Sequence, residues 1–298
     1  MIMEEDKVMI CCIGKEENPY IREFVEYYKN LGATNICLFD NNDVEGERFE
    51  DVIGDYIDSG FVILKDYRGK KRCQWAAYEE CYNTYKDQYD WIAFFDCDEF
   101  LTFKKNTMTI QQFLMQPCFD DYDMVHVNWM SYGDNENLYY EDKPILERFK
   151  KPVMPYNFRV KFPFAENCHV KSIIRGYIDD IKIEWTRNSH TPTTPLACCD
   201  ARGREIENSF SPFCDYDYSV AYLRHFTTKS VEEYCKKMKR GFPDTTPYND
   251  REFRDMAERY FRYNKKTDEK LALIKKMTGI EVSRDSINNR QFYRTKKY

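Results

Sequence analysis

Residues 91–100 of the 298-residue chain read WIAFFDCDEF, and this stretch decides the fold that the sequence predicts. Its first half is a short apolar run of the kind found in strands that are buried on both faces of a sheet. Asp96, Asp98 and Glu99 follow without a turn residue. Three carboxylates at one strand end repel one another, so we expect a cation between them, and oxygen ligands favour Mg²⁺ or Mn²⁺ over zinc.

The strands and helices around this stretch predict an α/β fold. Strands are expected at residues 7–13, 35–40 and 61–64, and helices after Pro19 and over residues 72–85. Strands that alternate with helices form a mostly parallel sheet, in which ligands bind at the carboxyl ends of the strands. The acidic strand end is therefore the candidate centre of a functional site. The alternative is a solvated exit from the strand, because Asp-x-Asp is frequent by chance.

The second half of the chain is predicted to add strands and helices to this sheet. We expect a helix at 109–115, a strand at 123–131, a hairpin formed by 169–177 and 181–185, and an irregular segment at 190–217. A last strand at 220–226 precedes helices at 230–240, 250–263 and 268–277 and a loose tail at 286–298. Trp129 and Tyr132 are candidates for stacking on a ligand ring, although core packing is the commoner role of an aromatic residue.

Composition excludes several classes of protein. A net charge of −6 and a pI near 5.5 argue against a nucleic-acid-binding protein. No apolar run approaches the roughly 20 residues that cross a bilayer, and no signal peptide is evident, which predicts a cytoplasmic protein. The 12 cysteines include no C-x-x-C pair, so we expect reduced thiols and no structural zinc. The absence of a glycine-rich phosphate loop argues against a nucleotidyltransferase or phosphotransferase.

The acidic stretch resembles the metal-binding motif of nucleotide-sugar-dependent glycosyltransferases of the GT-A fold, in the family 2-like group whose motif continues Asp-Glu-Phe. Two further segments are similar to this group. They are the opening CCIGKEENPYIREFVEYYKNLGATNICLFDNND and the later LRHFTTKSVEEYCKKMKRG. The resemblance implies a GT-A fold with a Rossmann-like, mostly parallel sheet flanked by helices, and with C-terminal helices. It divides the chain into a glycosyltransferase domain at 1–241, with a nucleotide-binding half at 1–104 and an acceptor half at 105–241, and a helical extension and tail at 242–298.

The resemblance also implies roles for individual residues. The resemblance implies that Asp96, Asp98 and His225 bind Mn²⁺ or Mg²⁺. The donor nucleotide is bound by Lys15, Glu17, Asp40 and Lys229. Carboxylates suit this task because ribose hydroxyls and the uracil N–H are hydrogen-bond donors.

Enzymes of the group usually invert the anomeric carbon, and inversion needs a carboxylate base on the acceptor side. Glu147 and Asp134 qualify by position, and the Glu-Arg-Phe context favours Glu147.

The function that these observations predict is a metal-dependent glycosyltransferase of the hexosyltransferase type. It would move a sugar from a UDP-linked donor to a glycan or lipid-linked acceptor in bacterial surface polysaccharide synthesis, in the cytoplasm and at the inner face of the membrane. The alternative is a non-catalytic nucleotide-sugar or glycan-binding protein of the same fold. Donor hydrolysis in the presence of Mn²⁺ separates the two.

Overall fold

The computed structural model describes residues 6–153, 165–178, 182–241 and 250–283. Its strands are β1 (Val8–Gly14), β2 (Asn35–Asp40), β3 (Val62–Asp66), β4 (Trp91–Phe94), β5 (Glu99–Phe103), β6 (Met124–Ser131), β7 (Val170–Arg175), β8 (Cys198–Asp200) and β9 (Ala221–His225). Its α-helices are α1 (Asn18–Asn30), α2 (Glu50–Asp58), α3 (Gln74–Tyr85), α4 (Ile110–Leu114), α5 (Ile145–Arg148), α6 (Val231–Arg240), α7 (Asp250–Tyr263) and α8 (Asp268–Thr278).

The nine described strands form one curled sheet in the order β3-β2-β1-β4-β7-β6-β9-β5, with β8 paired to β6. The pairs β1–β2, β1–β4, β2–β3, β6–β8 and β6–β9 are parallel, and the other three are antiparallel. The predicted fold class, an α/β protein with a mostly parallel sheet flanked by helices, is confirmed.

Strand β1 shows why the chain builds a sheet with two covered faces. All seven of its residues are buried, and alternate side chains enter different cores. Val8, Ile10 and Cys12 pack in the cluster that contains α1, whereas Met9 and Cys11 pack in the cluster that contains α3. Successive residues of a strand point to opposite faces, so a continuously apolar strand requires helices on both sides.

The C-terminal helices add a separate apolar cluster beside the sheet. Buried residues of α6, α7 and α8 pack together, among them Tyr234, Tyr260 and Ile274. Ser230 caps α6 by accepting from the Glu233 N–H, while the Glu233 side chain accepts from the Ser230 N–H in return. The division of the chain at residue 241 stays a prediction.

Several predicted elements need correction. The predicted hairpin is wrong in its described part, because β7 lies between β4 and β6 and uses both of its edges. Residues 182–185 form no strand, and Ile183 and Trp185 instead bury their side chains in the core on the α3 face. Residues 179–181 and the predicted tail at 286–298 lie outside the described residues. Helix α2 and strand β5 had not been predicted.

Helices with the length and apolarity needed to cross a membrane do not occur in the described ranges.

Candidate active site

A cavity of about 310 Å³ opens where β1 and β4 end, and α6 lies along its wall. It brings together five of the residues predicted from sequence, which are Lys15, Glu17, Asp96, Asp98 and His225. Gly14 makes the approach of these strand ends possible. A Cβ atom there would lie 2.8 Å from the Phe49 ring and 3.3 Å from Cys97 Sγ.

Asp96, in the β4–β5 turn, is held by two hydrogen-bond donors and one ion pair. Its Oδ1 accepts from Gln74 Nε2 at 3.1 Å and from the Tyr78 hydroxyl at 3.0 Å, and its Oδ2 lies 2.8 Å from Lys171 Nζ. Lys171 is fully buried in β7. Burial opposes its charge, but Asp96 and Glu99 outweigh that effect and raise the pKa of Lys171. Sequence analysis had missed Lys171, which acts as the cation expected among the crowded acids.

Asp98, in the same β4–β5 turn, contacts a lysine and a histidine from the C-terminal half of the chain. Its Oδ2 accepts from Lys237 Nζ of α6 at 2.9 Å, and its Oδ1 lies 3.7 Å from His225 Nε2 of β9. Burial alone would raise the pKa of Asp98, but Lys237 and the neighbouring cations hold it well below its usual range. Burial lowers the pKa of His225 to about 3, so this imidazole is neutral at pH 7.

Glu17, in the loop after β1, pairs with two cations, one at the end of α6 and one just before that helix begins. Its Oε1 lies 2.6 Å from Arg240 Nη2, and its Oε2 lies 3.6 Å from Lys229 Nζ. Arg240 also donates to the backbone carbonyls of Lys15 and Glu16. Burial would raise the pKa of Glu17, but Arg240 and Lys229 lower it. Lys229 itself is buried behind Glu17, with Nζ 4.1 Å from the centre of the Tyr20 ring, and does not line the cavity.

Asp40 also lies outside the cavity lining. Its Oδ2 pairs with Arg68 at 2.8 Å and its Oδ1 accepts from the Asn42 N–H. The Arg68 guanidinium further donates to four carbonyls of the segment after β2, those of Asp43, Val44, Gly46 and Glu47. Asp40 therefore shapes this segment, and Lys15 joins it through a 2.7 Å ion pair to Asp43.

Neither of the two candidate bases from sequence lines the cavity. Glu147 is exposed on α5, next to Arg148, which forms a buried ion pair with Glu233. Asp134 is buried and tied to Lys270 at 2.6 Å and to the Tyr260 hydroxyl. These contacts make Asp134 a link between the β6 end and the C-terminal helices.

Sequence analysis did not single out Lys237 and Arg240, although both line the cavity. Their spacing was a usable signal, because residues three apart on a helix lie on the same face. Ser230 fixes where α6 begins, and the basic residues in its last turn follow from there.

A metal ion is the cofactor that the sequence resemblance implies. The 3.7 Å between Asp98 Oδ1 and His225 Nε2 lies between the about 3.0 Å of adjacent ligands and the about 4.2 Å of opposite ligands around octahedral Mg²⁺, so these two side chains could share one ion only after a small shift. Asp96 does not fit as a third ligand in this arrangement, because its oxygens already accept from Gln74 and Tyr78 and form an ion pair with Lys171. No group of three or more His, Cys, Asp or Glu residues in the described ranges is arranged to hold a metal.

Two solved structures show a distant similarity to this chain. The S. aureus TarS fragment 1–349 in complex with UDP-GlcNAc matches with a TM-score of 0.39 and 10% identity, over 91% of this chain and 71% of that chain. The mannosyltransferase PcManGT from Pyrobaculum calidifontis, in complex with GDP-Man and Mn²⁺, matches with a TM-score of 0.31 and 12% identity, over 42% and 36% of the two chains. Similarity at this level carries no functional conclusion.

Sequence comparison gives a closer relationship. A glycosyltransferase family 92 protein of Oryza sativa subsp. japonica is 26% identical over 105 residues, and one of Arabidopsis thaliana is 25% identical over 97 residues. These matches cover 35% and 33% of this chain but only 18% and 16% of the two relatives. The chain therefore matches less than a fifth of the length of these curated relatives.

The family model described as "Glycosyltransferase family 92" matches residues 6–264, which include every residue of the cavity described above. The match confirms the predicted enzyme class at the level of the family, whereas the finer resemblance to family 2 is not confirmed. The chain belongs to glycosyltransferase family 92.

Proposed function

We propose that this protein transfers a sugar from a nucleoside diphosphate sugar to a glycan or lipid-linked acceptor, and that the cavity between β1, β4 and α6 binds the donor diphosphate. The observation that carries the proposal is the arrangement of charges around the cavity. Two acids of the cavity each form an ion pair with a buried lysine. Asp96 pairs with Lys171, and Glu17 pairs with Lys229.

Cations of the C-terminal part of the chain then line the cavity itself. Lys237 and Arg240 of α6 and Arg259 of α7 all contribute to its wall. Charged donors bind phosphate oxygens more strongly than neutral ones, and a guanidinium can contact two oxygens at once. Positive charge at this place would also stabilise the diphosphate as it leaves the sugar.

The nucleoside end of the donor is proposed to lie toward the first loop. Lys15 and Glu17 line the cavity there, and both are proposed to contact the nucleoside. Asp40 is proposed to act through Arg68, by holding the segment after β2 in place. Lys229 is proposed to act through Glu17, whose position and charge it helps to fix. UDP remains the proposed nucleotide.

A divalent ion is proposed to bind Asp98 and His225, with Asp96 as a further ligand once it is released from Lys171. Such an ion would supply charge stabilisation for the leaving diphosphate. Lys237 already lies 2.9 Å from Asp98, so the same carboxylate serves both the ion and the helix cation.

A role in bacterial surface polysaccharide synthesis and a cytoplasmic location at the inner face of the membrane stay predictions. The second candidate function is a non-catalytic nucleotide-sugar or glycan-binding protein. Paired carboxylates and cations in one cavity would serve binding as well as catalysis, so turnover has to be measured directly.

The test is release of nucleoside diphosphate from a panel of UDP-linked and GDP-linked sugars, with Mn²⁺ or Mg²⁺ and with EDTA. Transfer to water suffices as a readout, so the acceptor need not be known. The expected result is release from at least one donor, stimulated by the metal. Binding of a donor without any release would favour the non-catalytic alternative.

A further inference from the structure

Transfer with inversion needs a group that takes the proton of the attacking hydroxyl, and neither Glu147 nor Asp134 lines the cavity. We propose that His190 is this base, an inference that rests on the proposed function. His190 lines the same cavity as Asp98, Lys237 and Arg240, and its neighbours in the lining include Ser189 and Trp129.

The hydrogen bonds of His190 leave its outer ring nitrogen available. Its Nδ1 lies 3.0 Å from the Val170 carbonyl oxygen. A carbonyl can only accept, so Nδ1 carries the hydrogen and Nε2 carries the lone pair. No side chain or backbone group in the described ranges bonds to Nε2. Burial, together with Lys171, lowers the pKa of His190 well below its usual range, so the ring is neutral at pH 7.

The backbone around His190 is fixed from three directions. The Asn188 side chain accepts from the N–H groups of His190 at 2.8 Å and of Thr191 at 2.9 Å. The Ser172 hydroxyl of β7 donates to the His190 carbonyl at 2.9 Å. The Trp129 ring packs edge to face against the imidazole, with 5.0 Å between the ring centres. A base acts only from a defined position, and these contacts define one.

The other titratable groups of the cavity already have partners. Asp96 accepts from Gln74 and Tyr78 and is paired with Lys171. Asp98 is paired with Lys237, and Glu17 is paired with Arg240. His225 has its Nε2 3.7 Å from Asp98 Oδ1, and its Nδ1, although it has no hydrogen-bond partner among the described residues, is buried from solvent. His190 is thus a lining group whose basic atom is uncommitted and not sealed from solvent in the described part of the chain.

The proposed step balances without a further reactant. The acceptor hydroxyl gives its proton to His190 Nε2 while its oxygen bonds to the anomeric carbon. The bond between that carbon and the diphosphate oxygen breaks, and its electron pair leaves with the nucleoside diphosphate. The imidazolium then loses its proton to solvent. A bound diphosphate raises the basicity of His190, because negative charge favours the protonated ring.

The variant His190→Asn tests the role of Nε2 while it keeps the hydrogen bond made by Nδ1. Its amide nitrogen can take the place of Nδ1 and donate to Val170, while nothing replaces Nε2. His169→Asn is the matched control, because His169 also has its Nδ1 against a backbone carbonyl, that of Glu166 at 3.1 Å, and also packs on Trp129, but does not line the cavity. The readouts are UDP and GDP affinity, and diphosphate release from the donor that the wild-type protein turns over.

His190→Asn is expected to bind nucleotide as the wild type does and to lose roughly 10²–10⁴-fold in release, the usual contribution of a general base. Imidazole added to His190→Ala should restore part of the rate, and His169→Asn should keep it. Release within threefold of wild type in His190→Asn overturns the proposal, as does a loss found in Glu147→Gln instead. If the wild-type protein releases nothing from any donor, it is the proposed function that fails.

Discussion

At the residue scale, the acids that end β4 are balanced by lysines of distant parts of the chain. Lys171 of β7 neutralises Asp96, and Lys237 of α6 neutralises Asp98. The expectation of a cation among these acids followed from their repulsion. Its chemical identity could not follow, because β7 and α6 reach the turn only through the sheet topology and the packing of the C-terminal helices.

Asp98→Asn is expected to lower both turnover and stability. The change removes the buried ion pair between Asp98 and Lys237, and breaking a buried ion pair costs roughly 3–5 kcal/mol. Urea unfolding should show this loss, and diphosphate release should fall at least tenfold. The exposed Asp120→Asn serves as the control and should change stability by less than about 0.5 kcal/mol. An Asp98→Asn protein as stable and active as wild type would contradict the account.

The buried His126 should make the stability of the protein depend on pH. The ring is fully buried in β6, and neither nitrogen has a hydrogen-bond partner in the described part of the chain. Burial lowers its pKa to about 3, below its value of about 6.5 in the unfolded chain. The unfolded state therefore binds the proton more readily, so this contribution to stability is complete above pH 6.5 and is lost as the pH falls toward 3.

We expect His126→Leu to weaken this dependence. Between pH 6.5 and 5 the wild type should lose on the order of 2 kcal/mol more unfolding free energy than the variant, since one pH unit corresponds to about 1.4 kcal/mol per proton. Urea unfolding at both pH values measures the difference. Equal losses in the two proteins would show that His126 is not held neutral.

At the scale of elements, α6 joins the cavity to the rest of the molecule. Its first turn carries Glu233, which pairs with Arg148 in a bidentate contact of 2.9 Å on each side and accepts from the Tyr20 hydroxyl at 2.7 Å. Its last turn carries Lys237 and Arg240, which reach the cavity. The contacts of Glu233 therefore fix the first turn of α6, and this places the two cations of its last turn at the cavity.

Glu233→Ala should destabilise the protein by roughly 3–5 kcal/mol, because it leaves the Arg148 guanidinium buried without a carboxylate. Chemical denaturation measures the change. Glu281→Ala is the control, since its ion pair with Lys275 is exposed and such pairs contribute about 0–1 kcal/mol. Equal effects of the two changes would mean that Arg148 and Glu233 do not anchor α6.

Local patterns predicted some elements well and others not at all. The strands β1, β2 and β4 are apolar runs that end in polar residues, and α1 repeats its buried residues at helical spacing. The hairpin failed because the partners of β7 are set by long-range pairing with β4 and β6. Strand β5 was hidden because Glu99, counted among the acids, is its first residue.

The site residues that local patterns indicate were predicted, whereas those placed by long-range contacts were not. Residues at strand ends could be placed together, because the carboxyl ends of parallel strands meet at one edge, and Lys15, Glu17, Asp96 and Asp98 do line one cavity. Asp40 could not be excluded from that set, since its partner Arg68 lies 28 residues later in the chain. The position of His190 depends on contacts with β7 and on a turn around Asn188 that no periodic pattern indicates.

At the scale of the whole molecule, the cavity lining runs from Ile13 to Arg259 and thus draws on nearly the whole matched region. A ligand that bridges β1, β4 and α6 should stabilise these parts together. We expect a nucleoside diphosphate at 100 times its dissociation constant to add about 2.7 kcal/mol of stability, which appears as a higher melting temperature.

The central claim is that the α6 cations bind the diphosphate, and calorimetric titration of UDP and GDP tests it most directly. Wild type, Lys237→Met and Lys236→Met should be compared, since Lys236 is the exposed neighbour of Lys237 and pairs only with Glu232 among the described residues. At least one nucleotide should bind wild type and Lys236→Met alike, and Lys237→Met at least tenfold more weakly, a loss of about 1.4 kcal/mol. Equal affinity in all three proteins, or no binding of either nucleotide to the wild type, would contradict it.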